Sequence, residues 1–132
     1  MSDFLSKKYR GLGTFIELSL LDVEKSKTTE KIEQGYRKIA HYEDLFTVNR
    51  AFSELIAVNQ AAGVKAVALS EEVYALTKKA VQVSQEHFGF NASIGPLVRL
   101  WHIGFADARV PSEQEIQKML AMVSPDDIVL DD

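Results

Sequence analysis

Between residues 14 and 20, Ile16, Leu18 and Leu20 alternate with Glu17 and Ser19, the period-two pattern of a half-buried strand. Gly11 and Gly13 just before it let the backbone enter through dihedrals that side chains disfavour. Ile32, Tyr36, Ile39, Ala40 and Leu45 then recur at the three-and-four spacing of a helix, which Thr28 or Thr29 can cap and which should end near Phe46 or Thr47. Phe52, Leu55 and Ile56 suit a short helical turn within residues 49–57, and residues 59–63 read as a turn. Residues 64–69, rich in Val and Ala, read as a second strand. Ser70 is placed to cap the next helix, with Glu71 and Glu72 at its positive end and Val73, Leu76, Ala80, Val83 and His87 along one stripe.

Residues 89–101, GFNASIGPLVRLW, break both periodicities. Gly95 followed by Pro96 suits a turn into a short helix with Pro at its first position. After a loop over 104–110, Ser112 and Glu115 form a capping-box pair ahead of Ile116, Met119, Leu120 and Val123, which predicts a third clear helix. Ile128, Val129 and Leu130 read as a strand that has barely begun at Asp132, so the expectation is a cut through a larger fold, with an edge that needs covering. The amphipathic first strand and irregular connections favour an α+β fold, with a mixed or antiparallel sheet and three main helices, over a doubly wound parallel sheet. Residues 1–10 read as an N-terminal leader and residues 11–132 as the folded portion.

Composition changes this picture little. The 132 residues fit one domain, and 46% hydrophobic with 26% charged residues is ordinary for a globular protein. A net charge of −4 argues against nucleic acid, because backbone affinity comes from clustered Lys and Arg, and here only Lys7, Lys8 and Arg10 cluster. The absence of cysteine excludes disulfides, thiolate metal sites and Cys nucleophiles. No apolar run approaches membrane-spanning length and the charged N-terminus lacks a secretory core, so the expectation is no membrane partner and a cytoplasmic location.

The chemistry-bearing residues are sparse. His41, His87 and His102 form no pair at one-face helical spacing, and Glu71–Glu72, Asp126–Asp127 and Asp131–Asp132 are adjacent, so their side chains diverge. Ser53 and Ser93 lack the signature of an activated nucleophile, and Gly11 and Gly13 fall short of a phosphate-cradling motif. No catalytic residue and no metal ligand is assigned. One segment mixes small, polar and ring residues: Gly89, Asn91, Ser93 and Gly95 beside Phe88, Phe90 and Trp101. That mix suits either a turn packed by aromatics or a grip on a planar heterocycle.

At this segment the chain resembles the ApbE family, whose members carry GxxDxTxGPLVxLWxxG after a long helix. It stands here as Gly89, Phe90, Asn91, Ala92, Ser93, Ile94, Gly95, Pro96, Leu97, Val98, Arg99, Leu100, Trp101 and Gly104. Residues 111–116 match the following helix start. Residues 11–14 resemble the family's MGT, residues 45–55 its LFSxYRxDSEL, and residues 59–70 its NxxxG turn, strand and serine. The resemblance runs over residues 11–130 and covers the N-terminal part of a complete member only.

The resemblance implies an FAD:protein FMN transferase, which uses FAD and Mg2+ to place FMN through its phosphate on a Thr or Ser hydroxyl of an acceptor flavoprotein, releasing AMP. It places flavin contacts on Leu12 (family Met), on Asn49 (family Tyr, a ring that could stack) and on Gly89, Phe90 and Asn91 (family Asp). Arg50 and Ser53 match the family and are expected to fix loop geometry. The family's magnesium ligands and AKG segment lie past the point matching Asp132, so the implied expectation is FAD binding without metal and without turnover by this chain alone. A second reading is a noncatalytic module that binds flavin or a partner, burying its open edge in a homo-oligomer.

Overall fold

The computed structural model describes residues 3–21 and 24–131. The described chain divides into two compact units, residues 1–73 and 74–132.

In the first unit, strands β1 (Phe4–Gly11) and β2 (Thr14–Leu21) form an antiparallel hairpin, with Tyr9 opposite Ile16 and Gly11 opposite Thr14. Leu5, Lys7 and Tyr9 of β1 and Ile16 and Leu18 of β2 alternate inward, while Phe4, Lys8, Phe15 and Glu17 face solvent. Helix α1 (Lys25–Phe46) packs on both strands. Its stripe carries Ile32, which is 1% exposed, then Gly35 and Tyr36. The Tyr36 ring stacks on Tyr9 with centroids 4.0 Å apart, and its hydroxyl donates to the Arg10 carbonyl at 3.0 Å.

The segment read as a leader is therefore most of β1. Lys7 occupies an inward position because Glu33 of α1 meets it: Lys7 Nζ donates to Glu33 Oε1 at 2.6 Å, and the Tyr9 hydroxyl donates to the same oxygen at 2.9 Å. These bonds, that to Lys7 first, hold the Glu33 carboxyl below its ordinary range. An inward lysine hides the strand alternation from a sequence reading, since its partner lies on another element.

Helix α1 begins at Lys25, one turn before Thr28, whose hydroxyl instead donates back to the Glu24 carbonyl at 3.1 Å. Helix α2 (Glu54–Ala61) packs on α1 and takes in residues 59–61, which the sequence assigns to a turn. Residues 65–70 join neither a helix nor a strand, because an extended segment becomes a strand only against a neighbour and the described sheet contains β1 and β2 alone. Glu54 accepts from the Ser70 backbone N–H at 2.7 Å, and the Ser70 hydroxyl accepts from Val73 N–H at 3.4 Å, so Ser70 starts α3 (Glu71–Glu86) as its sequence position suggests.

The second unit holds the rest of α3, then α4 (Gly95–Trp101) packed on α5 (Glu113–Leu120), and a short 3-10 turn (Pro125–Asp127). Pro96 lies in the first turn of α4 and His102 closes it in the left-handed region at φ 48°. The Ser112–Glu115 capping box forms as expected. Residues 128–130 join neither a helix nor a strand of the described sheet. The fold is α+β, with a two-stranded antiparallel sheet and five α-helices described. None of the described helices is long and apolar enough to cross a membrane.

Candidate functional site

The residues with ligand-binding character fall into both units. In the first, Leu12 and Gly13 make the two-residue turn of the hairpin with φ of 51° and 73°. Two left-handed residues match the right-handed twist of the flanking strands, which is why such turns favour Asn-Gly. A leucine there costs about 1–2 kcal/mol of backbone strain. Its side chain is 59% exposed.

Asn49 lies in the exposed bend after α1, its backbone N–H donating to the Thr47 hydroxyl at 3.3 Å. Its neighbours build the bend. Arg50 pairs with Glu43 at 3.0 Å and with Asp44, while the Ser53 hydroxyl donates to the Thr47 carbonyl at 2.5 Å and accepts from Ile56 N–H at 3.0 Å. Arg50 and Ser53 thus fix the loop that presents Asn49.

In the second unit the loop between α3 and α4 is organised by Asn91. Its side-chain oxygen accepts from the Ser93 backbone N–H at 2.8 Å and from the Ser93 hydroxyl at 2.7 Å; its amide nitrogen donates to the Val123 carbonyl at 3.1 Å. Ser93 is thereby the partner that closes the turn. The space where a side chain of Gly89 would stand is open, and the Phe90 ring next to it is 48% exposed. Leu97, Val98 and Trp101 of α4, with Ile94 just before it and Ile103 just after, line an open apolar cleft of about 320 Å³. The structure thus brings Gly89, Phe90 and Asn91 into one loop, whereas Leu12 and Asn49 sit on separate turns of the first unit.

Two histidines have carboxylate partners. His41 Nε2 lies 2.6 Å from Glu72, which holds the Glu72 carboxyl below its ordinary value, and His102 Nδ1 lies 2.7 Å from Asp107 with its ring stacked on Phe105 at 4.1 Å. Neither pair grows into a metal site: among the described residues no three His, Asp or Glu side chains converge as metal ligands.

The strongest electrostatic perturbation borders the same unit. Arg109 Nη1 donates to Glu115 Oε2 at 2.9 Å, its Nη2 donates to Oε1, and the backbone N–H and hydroxyl of Ser112 each donate to Oε2 at 2.9 Å. The Arg109 guanidinium, and then Ser112, hold the Glu115 carboxyl down at about 2 from 4.5. The folded state therefore favours the ionised form. Its contribution is fully present above the unfolded value of 4.5 and is lost as pH falls toward about 2. Both side chains are substantially exposed, so the effect is small. Urea midpoints of wild type and Glu115→Gln should differ in favour of wild type at neutral pH and converge below 4.5; a pH-independent difference would rule out this linkage.

The ApbE family profile matches residues 12–132. An FAD:protein FMN transferase of Klebsiella pneumoniae (strain 342) is 42% identical over 98 residues, covering 74% of this chain and 31% of that protein. An FAD:protein FMN transferase of Treponema pallidum (strain Nichols) is 32% identical over 90 residues, covering 67% of this chain and 25% of that protein. The crystal structure of the ApbE protein of Thermotoga maritima superposes with a TM-score of 0.90 at 22% identity, over 98% of this chain and 42% of that one. The apo flavinyl transferase ApbE of Pseudomonas stutzeri gives 0.74 at 17% identity, over 95% and 41%. The chain thus spans less than half the length of each of these relatives.

Proposed function

The chain belongs to the ApbE family, and from that premise we propose that it forms part of the flavin-binding wall of an FAD:protein FMN transferase. The observation that carries this reading is the family match over residues 12–132, which takes in the whole 89–101 segment. The local geometry fits a planar ring. Open space over Gly89 lets a flat group approach the backbone, and the half-exposed Phe90 ring offers it a stacking face. Leu12, exposed and strained, is the apolar contact on the first unit; Asn49, on its braced bend, offers an amide.

In the reaction proposed, the hydroxyl oxygen of an acceptor Thr or Ser forms a bond to the FMN phosphorus as the bond from that phosphorus to the AMP phosphate oxygen breaks and the hydroxyl proton passes to solvent, and what these residues contribute is binding and orientation of FAD. Mg2+ would supply charge stabilisation at the phosphates. The described residues do not fit that ion, since no group of three ligands converges among them.

Titration of the purified chain with FAD, followed by flavin fluorescence, tests the reading. Saturable quenching at micromolar FAD is expected, unchanged by magnesium or a chelator. Phe90→Ala should weaken it about two- to tenfold, the range for one lost aromatic contact. No quenching at high FAD would overturn the proposal.

A further inference from the structure

The loop that carries Gly89 and Phe90 is held by hydrogen bonds from two other segments of the second unit. From α3, the Ser84 hydroxyl accepts the Ala92 backbone N–H at 2.8 Å and donates its own proton to the Ala80 carbonyl one turn back at 2.7 Å. From beyond α5, the Val123 carbonyl accepts the Asn91 amide at 3.1 Å. Between these anchors Asn91 Oδ1 takes both donors of Ser93, which closes the turn into Gly95 and Pro96. Further out, Gln85 donates to Asp126 at 3.0 Å, a second link from α3 to the segment after α5.

We propose that Ser84 and Asn91 are positioning residues that clamp this loop in its ligand-ready shape, with Asn91 acting through the loop rather than as the flavin contact assigned to it from sequence. The inference rests on the flavin reading above. Its physical basis is the hydrogen-bonding capacity of the two side chains. A hydroxyl both donates and accepts, so Ser84 can relay from a helix carbonyl to a loop N–H, which an alanine cannot. An amide donates to Val123 while its oxygen accepts from Ser93. The aspartate usual at this position of the family keeps the acceptor and lacks the donor. Clamping lowers the entropy lost when a ligand orders the loop, so affinity rises without any new contact.

Nothing in the sequence around Ser84 signals this role. It stands on the helix among Val83 and Gln85, and its partner lies eight residues on.

The test combines amide exchange, which needs no ligand, with FAD titration of the full chain. In Ser84→Ala the Ala92 amide should exchange about tenfold faster, and FAD should bind about tenfold more weakly, the size of one lost hydrogen bond. Alanine is the better helix former, so α3 stays folded and the thermal midpoint should shift by less than about 4 °C. Ser84→Thr, which keeps the hydroxyl, should restore both readouts. Asn91→Asp should keep the Ser93 amide protected yet weaken FAD binding. If Ala92 exchange is unchanged in Ser84→Ala, there is no clamp. If exchange accelerates while affinity holds, the clamp exists and does not serve binding, and the proposal fails. Wild-type affinity in Asn91→Asp removes Asn91 from it. Absence of FAD binding by the wild type would remove the flavin reading itself and this role with it, an outcome distinct from a failed clamp because exchange is read separately.

Discussion

Replacing Ile32 with Ala is expected to destabilise the first unit by about 2–5 kcal/mol, the largest effect of any single substitution argued here. Ile32 is 1% exposed and sits on the α1 stripe that packs on both strands of the hairpin. Truncation removes three carbons from a unit whose buried apolar residues, among those described, are Ile32, Ala61 and Val73. A core this small has little redundancy, so the void is not shared out over other contacts. Urea unfolding monitored by tyrosine fluorescence and circular dichroism should show the midpoint falling sharply. Ile32→Val should cost about 0.5–1.5 kcal/mol. Equal, small losses for both variants would mean that α1 does not hold the hairpin through this residue.

The second large effect concerns Gly35, and here the size of the replacement decides the sign. Glycine in mid-helix ordinarily costs about 1 kcal/mol relative to Ala. At Gly35 the position of a Cβ would be 3.3 Å from Leu18 Cδ1 of β2, tight but against the end of a side chain that can yield. Gly35→Ala should therefore be close to neutral, helix propensity offsetting a few tenths of an ångström of crowding. Gly35→Leu cannot be accommodated by the same adjustment and should cost about 1–3 kcal/mol or more through overpacking. Thermal unfolding of the two variants beside wild type checks this, and a stable Gly35→Leu would show that α1 can lift from β2 at little cost.

Both effects depend on a contact between α1 and the hairpin that sequence patterns anticipate only in part. Alternation in residues 14–20 and the three-and-four spacing after Thr28 identify β2 and α1, because each pattern is the projection of one element's own geometry onto the chain. Caps are equally local. Ser53, Ser70 and Ser112 each accept a hydrogen bond from an N–H three residues on, so the starts of α2, α3 and α5 are set within a few letters, and Ser53 ties its loop to Thr47 as well. The resemblance to ApbE proteins in residues 89–101 was likewise carried by adjacent residues, and the family match bears it out.

What failed to show in the sequence depends on partners far along the chain. Residues 4–10 look like a charged leader because Lys7 interrupts the apolar alternation, and only the placement of Glu33, on another element, makes an inward lysine tolerable. Residues 64–69 have strand composition, yet composition supplies no neighbour to pair with. Asn91 has the same character: its letter marks a departure from the family's aspartate, while its bond to the Val123 carbonyl gives that departure a structural meaning. The sequence by itself determined the hairpin's second strand, most of α1, the caps at Ser70 and Ser112 and the family, since their signals lie within a turn or two of chain, whereas the true start of α1 at Lys25 and the extension of α2 through Ala61 did not show in it. Tertiary structure alone decided which polar side chains are committed to holding loops and which surfaces of Leu12, Gly89 and Phe90 stay open, because hydrogen-bond partners and free space are properties of folded neighbours.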